Sequence, residues 1–422
     1  MSARTTITAV AASVVLATAL VAQDTGGRRL SIGVSERVEA IRNPNFVPGS
    51  DNTRLRADTN LSFSASSVTR TQSLRLSSGI ALRALRDTGR DVTFEVTDPD
   101  LRLTYERTAK NSSFEASAFY SSEDIAFIRT IDDFIDDDGV LVLPDDFEDL
   151  RGTGNRLTYG GSAALRWGLE GPLGLGLSAG YRAIDYQDAS AALFDTRTRW
   201  AAVDTRLEPV RGRRLTARLR FERYENDSPL TADRDTIDLD TRATLDRPDG
   251  SVYATFGLTD VPRGTRFSAG AGWSRDLPSG QLNLSAAGTL TTRDTLVLTG
   301  RASVRQVYAF GTLNAQVYRS VTEDTNNAEE AVTAATVSFS RDLTPLTGLS
   351  LGADFTRSTL LVNDQSTSTA VISATVRHQL TPDWSLNAGY DRRFRNEEAA
   401  NSGWVGSDRV FLGISRSFDR RF

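Results

Sequence analysis

Leu173–Arg182 reads LGLGLSAGYR, with leucine, alanine and tyrosine at the odd positions and glycine, serine and arginine at the even positions. Successive side chains of a β-strand point to opposite faces of the sheet, so this stretch predicts a strand with one apolar face and one small or polar face. Such a strand suits a wall that has lipid on one side and water on the other.

The same alternation recurs along most of the chain and predicts twenty strands. Short turns with Pro and Gly signals, such as 170–172 and 278–280, fall at every second link, and the other links are mostly longer and more polar. The pattern therefore predicts an all-β fold, a transmembrane antiparallel up-and-down β-barrel. The even strand count places both termini at one end, which we expect to be periplasmic.

The fourth predicted strand departs from regular alternation. Its apolar face runs through Phe94 and Val96 and then changes parity to Leu101 and Leu103. A β-bulge at Thr97–Asp100 accounts for the change and tolerates the proline within it. A true turn there would split the strand, and eighteen strands is then the alternative count.

The N-terminus has the order of parts of a secretory signal peptide: one positive charge, an apolar run from Ile7 to Val21 and a small-residue exit. We expect residues 1–22 to be removed, 23–28 to form a short periplasmic spacer and 29–422 to form a single barrel domain. After residue 22 no apolar run reaches the roughly 18 residues that a membrane-spanning helix needs. The chain has no cysteine, which excludes disulfide and thiolate chemistry.

Arginine dominates the predicted inner face. The chain has 49 basic residues, of which only Lys110 is a lysine. The predicted pore-lining residues are Arg54, Arg56, Arg75, Arg166, Arg182, Arg206, Arg218, Arg220, Arg242, Arg266, Arg301, Arg305, Asp238, Asp240 and Asp354. Either these charges face water and form a cation-lined pore wall, or they pair with one another and seal the lumen. Both interpretations predict the same inward charges.

The longest predicted loop, residues 124–152, is acidic. Its stretch 131–150 holds nine acids and no base, together with Phe134, Leu141 and Phe147, which should seek burial. We expect the loop to fold into the lumen and narrow it. The predicted constriction residues are Asp132, Asp133, Asp136, Asp137, Asp138, Asp145, Asp146, Glu148 and Asp149.

In its strand meander, its terminal phenylalanine and the position of its long loop, the chain resembles the general porins of Gram-negative outer membranes. It also resembles more broadly the uncharacterised β-barrel porins, some of them associated with exopolysaccharide export. The resemblance implies an outer-membrane location and makes Phe418 and Phe422 the signal for the barrel-assembly machinery. Twenty strands exceed the usual sixteen, and Arg416 and Arg420 stand where outward apolar residues are usual.

The sequence offers no catalytic or metal site. The acidic loop lacks the spacing of a calcium-binding loop. The only histidine, His378, is predicted to lie on the lipid face, away from any lumenal carboxylate. We therefore expect neither an enzyme nor a cofactor, and no nucleic-acid partner.

Three functions fit these observations. The first is passive diffusion of small hydrophilic solutes, anionic or amphoteric, past the acidic loop and the arginine wall. The second is a conduit for export of an acidic exopolysaccharide, and the third is a sealed barrel that is structural or binds partners. The expected surroundings are outer-membrane lipid and lipopolysaccharide, and oligomerisation stays open.

Overall fold

The computed structural model describes residues 27–125, 154–188, 193–229, 232–324, 327–398 and 403–422. The predicted signal peptide and the nine predicted constriction acids lie outside the described residues. The strands are β1 Arg28–Arg42, β2 Thr53–Val68, β3 Gln72–Asp87, β4 Thr93–Ala109, β5 Ser112–Asp124, β6 Asn155–Trp167, β7 Leu173–Gln187, β8 Thr196–Val210, β9 Arg213–Asn226, β10 Arg234–Arg247, β11 Gly250–Val261, β12 Gly264–Leu277, β13 Gly280–Leu290, β14 Leu296–Tyr308, β15 Gly311–Glu323, β16 Glu329–Thr344, β17 Thr347–Leu360, β18 Ser366–Gln379, β19 Trp384–Glu397 and β20 Val405–Arg421.

The sheet closes on itself. Each strand pairs in antiparallel fashion with the next along the chain, and β20 pairs with β1 from Arg29 opposite Arg421 to Arg42 opposite Asp408. At the end of this seam the Phe422 N–H donates to the Arg28 carbonyl at 2.9 Å. The predicted antiparallel barrel of twenty strands is confirmed. Among the described residues, no helix is long and apolar enough to cross a membrane.

The two ends of the barrel differ. The first strand begins and the last strand ends at the same end of the barrel, where the connections between strands are two to five residues long. We call it the turn end. The opposite end carries connections of up to thirty residues and is the loop end. The periplasmic location of the turn end stays a prediction.

The irregular fourth strand is a single strand with a bulge. Its register with β3 shifts where Gly79 pairs with Asp100 and Ala81 pairs with Thr97. Asp98 takes a positive φ of 50° within this bulge, and its carboxylate contacts Arg83. The bulge therefore absorbs the change of parity, keeps twenty strands and makes the alternative of eighteen wrong.

The outer face is apolar. Leu173, Leu175 and Leu177 on β7 are 54%, 47% and 49% exposed, and comparable apolar side chains stand exposed on strands around the barrel. Tyr159 and Trp167 share the outward face of β6. So large an exposed apolar surface is typical of a wall that faces lipid.

Adjacent residues on β17 test which face meets lipid. Leu351 points outward and Ser350 points inward, where it is exposed. We expect Leu351→Arg to lower the free energy of unfolding by roughly 2–4 kcal/mol, because it places a charge in the apolar belt. The matched variant Ser350→Arg should change it by less than about 0.5 kcal/mol. Denaturant titration in lipid vesicles measures both values, and equal losses would contradict the assignment of faces.

Candidate functional site

The predicted lumenal residues share one face of the wall. Arg234 on β10 reaches Glu323 at the end of β15 across four intervening strands, with Nη1 and Oε2 3.2 Å apart. Only an inward side chain of a closed barrel can make this contact. The registers place the following predicted residues on the same face: Arg54, Arg56, Arg75, Arg166, Arg182, Arg206, Arg218, Arg220, Arg242, Arg266, Arg301, Arg305, Asp238, Asp240 and Asp354. Whether they line a conducting pore stays a prediction.

In the loop half of the lumen the arginines are buried in ion pairs. The Arg83 side chain is only 1% exposed, and its Nε lies 2.9 Å from Asp58 Oδ1. The guanidinium also contacts Asp98 at the bulge and lies 3.8 Å from Asp124 on β5. Glu95 is within 3.7 Å. Arg83 is thus surrounded by carboxylates from β2, β4 and β5.

This network continues across the barrel seam. Arg56 contacts Asp58 and lies 3.4 Å from Glu39 on β1. Glu39 is in turn 3.9 Å from Arg409 on β20, whose Nε lies 2.6 Å from Asp391 on β19. Removal of either partner of a buried ion pair destabilises the fold, because the remaining charge is left without compensation in a low dielectric. The network therefore joins the first and last strands of the barrel through side chains as well as through the backbone.

In the turn half of the lumen several arginines face open space. Arg75, Arg102, Arg166, Arg305 and Arg377 are exposed and have no hydrogen bond or ion pair among the described residues. Arg242 is exposed as well and stacks on Tyr253, with its Cζ 4.4 Å from the ring centroid. Charges so exposed are tolerated in the lumen only where water solvates them. Paired and unpaired arginines thus occur at different heights of the same wall.

A cavity of about 710 Å³ lies against this turn half, between β6 and β12. Arg166, Arg218 and Arg242 line it together with Asp204 and Asp240. Glycines at positions 174, 176 and 257 form part of the lining and leave the wall recessed there. Arg218 Nε is 3.7 Å from Asp204, with both side chains 45% exposed, so this pair is weak and accessible. The cavity offers cationic groups with carboxylates beside them.

Arg206, one of the predicted lumenal arginines, also binds a turn of the barrel. Its Nη2 donates to the carbonyl oxygens of Gly168, Leu169 and Gly171 at 2.7, 2.9 and 3.1 Å. These carbonyls belong to the turn between β6 and β7, so the guanidinium holds that turn in place. Sequence alternation identified the face of Arg206 correctly and could not identify its partner.

The structure also shows a cluster of ion pairs and hydrogen bonds at the loop end that the sequence analysis missed. Glu323 and Glu329 flank the connection between β15 and β16, and Glu329 lies 3.8 Å from Arg266 on β12. Glu329 also accepts a hydrogen bond from the Thr292 hydroxyl at 2.7 Å. Asn327, in the same connection, accepts from Arg234 Nη1 at 3.1 Å. These contacts join the loop ends of β15 and β16 to β10, to β12 and to the connection between β13 and β14.

Two other predicted lumenal arginines contact neighbouring side chains, and the two predicted assembly-signal phenylalanines lie on the outer face. Arg301 donates to Gln316 at 3.1 Å, and Arg220 contacts Glu222 and lies over Trp200. Phe418 and Phe422 point outward at the turn end, 47% and 67% exposed.

His378 also points outward at the turn end. Its Nδ1 lies 2.9 Å from the Thr347 hydroxyl. The structure therefore places this ring on the lipid face of the wall, as the sequence predicts.

Comparison with known proteins supports the fold. No protein-family model matches the chain, and no curated protein matches it. The siderophore receptor PirA of Pseudomonas aeruginosa matches with 11% identity and a TM-score of 0.51 over 94% of this chain and 81% of the receptor chain. The ferric enterobactin receptor PfeA of the same organism, in complex with BCV-L6, matches with 9% identity and a TM-score of 0.51 over 94% and 82%. The chain therefore has the fold of the Gram-negative outer-membrane β-barrels, as its sequence predicts.

Two arginines on the inner face of β3 test the difference between the two halves of the lumen. Arg83→Gln removes the charge that four carboxylates share, so we expect the free energy of unfolding to fall by about 3–5 kcal/mol. Arg75→Gln removes an exposed charge on the same strand and face, and should change it by less than about 0.5 kcal/mol. Denaturant titration, in which heat-modifiable migration reports the folded fraction, measures the free energy of unfolding of both variants. Similar losses for the two variants would mean that burial in the network does not stabilise the barrel.

Proposed function

We propose that the protein is a channel in the outer membrane of a Gram-negative bacterium and that small hydrophilic solutes diffuse through it passively. The observation that carries this proposal is the exposed arginine face of the turn half, because side chains without partners have to be solvated by lumenal water. A lumen sealed along its whole length by ion pairs would leave no such group exposed.

The charges of this face indicate the class of solute. Arg166 and Arg242 have no acidic partner within ion-pair distance among the described residues, while Asp204 and Asp240 line the same cavity. A mostly basic wall with low-dielectric backing concentrates anions near it. The neighbouring carboxylates favour solutes that also carry a positive group. We therefore infer a preference for anionic or amphoteric solutes.

The passage is narrowest in the loop half in this proposal. The contacts of Glu323 and Glu329 with Arg234 and Arg266 support a constriction there. The acidic loop at 124–152 is proposed to contribute its carboxylates to the same constriction, on the grounds of its sequence alone.

A sealed barrel is the second candidate, and the loop half favours it. Arg83, Asp58 and Asp391 are almost fully buried in their ion pairs, and this burial supports closure of the loop half. Export of an acidic polysaccharide would require the loop half to open for a polymer. The arginine wall is compatible with such a polymer, but nothing among the described contacts favours it over small solutes.

Charge selectivity can be tested on β9 and β10. Arg218→Gln with Arg242→Gln removes two inward charges, so the zero-current potential in a salt gradient should move toward cation selectivity. The matched variant, Arg213→Gln with Arg247→Gln, removes two outward charges from the same strands and should leave the potential unchanged. Single-channel recording in planar bilayers measures both. A stable wild-type barrel without current would instead support the sealed alternative.

The acidic loop can be tested by deletion of residues 132–150. If the loop narrows the lumen, single-channel conductance should rise and ionic selectivity should weaken. Current and selectivity identical to those of the complete protein would refute its role as a constriction. Heat-modifiable migration should confirm that the shortened barrel folds.

A further inference from the structure

Outward-pointing arginines form a ring around the turn end of the barrel. We define the rim arginines as Arg107, Arg213, Arg247, Arg275, Arg341, Arg416 and Arg420. The registers place all of them on the outer face, near the turn-end limits of β4, β9, β10, β12, β16 and β20. Arginine at such positions is unusual for a surface that faces lipid.

The rim arginines lie at the edge of the apolar belt. On several strands an outward aromatic or leucine stands two residues closer to the middle of the wall, as Trp273 does for Arg275 and Phe339 does for Arg341. Arg416 has its Cζ 5.2 Å from the Trp384 ring centroid and 4.3 Å from that of Phe418. Aromatic and arginine side chains share the depth of the lipid headgroups, where the stem remains apolar and the charge reaches polar groups.

The rim arginines have no carboxylate partner within ion-pair distance among the described residues. The strand carboxylates nearest to the turn end point inward instead: Glu106, Glu208, Asp246, Asp276 and Asp419. Three of these pair with inward arginines, since Asp419 lies 3.0 Å from Arg29, and Asp246 and Glu208 lie 3.6 and 3.9 Å from Arg214. The outer face of this end therefore carries net positive charge.

The loop end differs. Outward arginines there are paired with acids, for example Arg199 with Glu225 at 3.3 Å and Arg357 with Glu398 at 3.5 Å. Arg42, Arg197, Arg223 and Arg392 are paired in the same way. Arg86 and Arg319 are the outward loop-half arginines that have no such partner among the described residues. The unpaired positive charge of the outer face is thus concentrated at the turn end.

We propose that the rim arginines bind the phosphate groups of anionic glycerophospholipids in the membrane leaflet at the turn end. A guanidinium presents planar donors that match phosphate oxygens, and without a protein carboxylate nearby it has no competing anion. This inference rests on the proposed membrane location of the barrel, and it does not depend on whether the lumen conducts.

Tryptophan fluorescence provides the readout, because Trp273 and Trp384 lie among the rim arginines. The protein, extracted in detergent, is reconstituted with spin-labelled phosphatidylglycerol or spin-labelled phosphatidylcholine of equal chain length. Binding at the rim predicts quenching by phosphatidylglycerol that is several-fold stronger at equal mole fraction. High salt should reduce this preference, because it screens exposed charges.

Two variants with five substitutions each locate the binding. The rim variant replaces Arg107, Arg213, Arg247, Arg275 and Arg341 by glutamine and should lose the preference for phosphatidylglycerol. The control variant makes the same change at the inward Arg75, Arg102, Arg166, Arg305 and Arg377, which alters net charge equally and should keep the preference. If the rim variant fails to fold, Arg275→Gln and Arg341→Gln are measured singly, and each should weaken the preference.

Three outcomes would overturn the proposal. Equal quenching by the two lipids would show that the protein does not bind phosphatidylglycerol specifically. An equal loss of the phosphatidylglycerol preference in both variants would show that the preference depends only on net charge. Stronger, rim-dependent binding of lipopolysaccharide than of phosphatidylglycerol would place the rim in the opposite leaflet. A barrel that shows the preference but no current would refute the proposed channel and leave the lipid site standing.

Discussion

The constraint on which this structure depends is that a backbone N–H or C=O inside a bilayer has no water to bond with. Each unpaired group there costs several kcal/mol, so a sheet in lipid has to close. Closure is achieved where β20 pairs with β1 along almost the whole length of both strands. Because that pairing closes the sheet, every strand has one face toward the lumen and one face toward the lipid. The bulge at Asp98 is tolerated because it displaces the ladder locally without opening an edge.

Inside the closed wall, arginine occurs in two environments that differ in dielectric. In the loop half, Arg83 is surrounded by carboxylates and shielded from water, and Arg409 lies between Glu39 and Asp391 with 22% of its side chain exposed. Loss of either partner from a buried pair is destabilising, because it leaves one charge uncompensated. In the turn half, Arg166 and Arg377 are exposed and depend on solvent. Arginine thus stabilises the loop half of the lumen through ion pairs and gives the turn half unpaired positive charge. The charges of the loop half are thus mutually paired, whereas the turn half keeps several arginines without an ion-pair partner among the described residues.

The outer face is also divided into regions that differ in how their arginines are paired. Its middle is apolar, its loop-end arginines are neutralised by acids, and its turn-end arginines stack on aromatic rings such as Trp384 and Phe418. A guanidinium can stack on an aromatic ring and still bind polar groups, because its faces are weakly hydrated while its edges donate hydrogen bonds. The preference of the chain for arginine over lysine therefore has a structural use at the membrane boundary and in the lumen.

The strands, their number and the face on which each side chain lies could be predicted from the sequence, because they depend on a local period of two residues. The bulge on β4 could be predicted as well, since a change of parity between Val96 and Leu101 has few other causes. Which charges meet could be seen only in the folded barrel. Arg83 draws its partners from three other strands, Arg206 turns to the carbonyls of one hairpin, and Glu329 reaches β12. Such contacts depend on strand stagger, bulges and closure of the whole sheet, and no local pattern of residues encodes them.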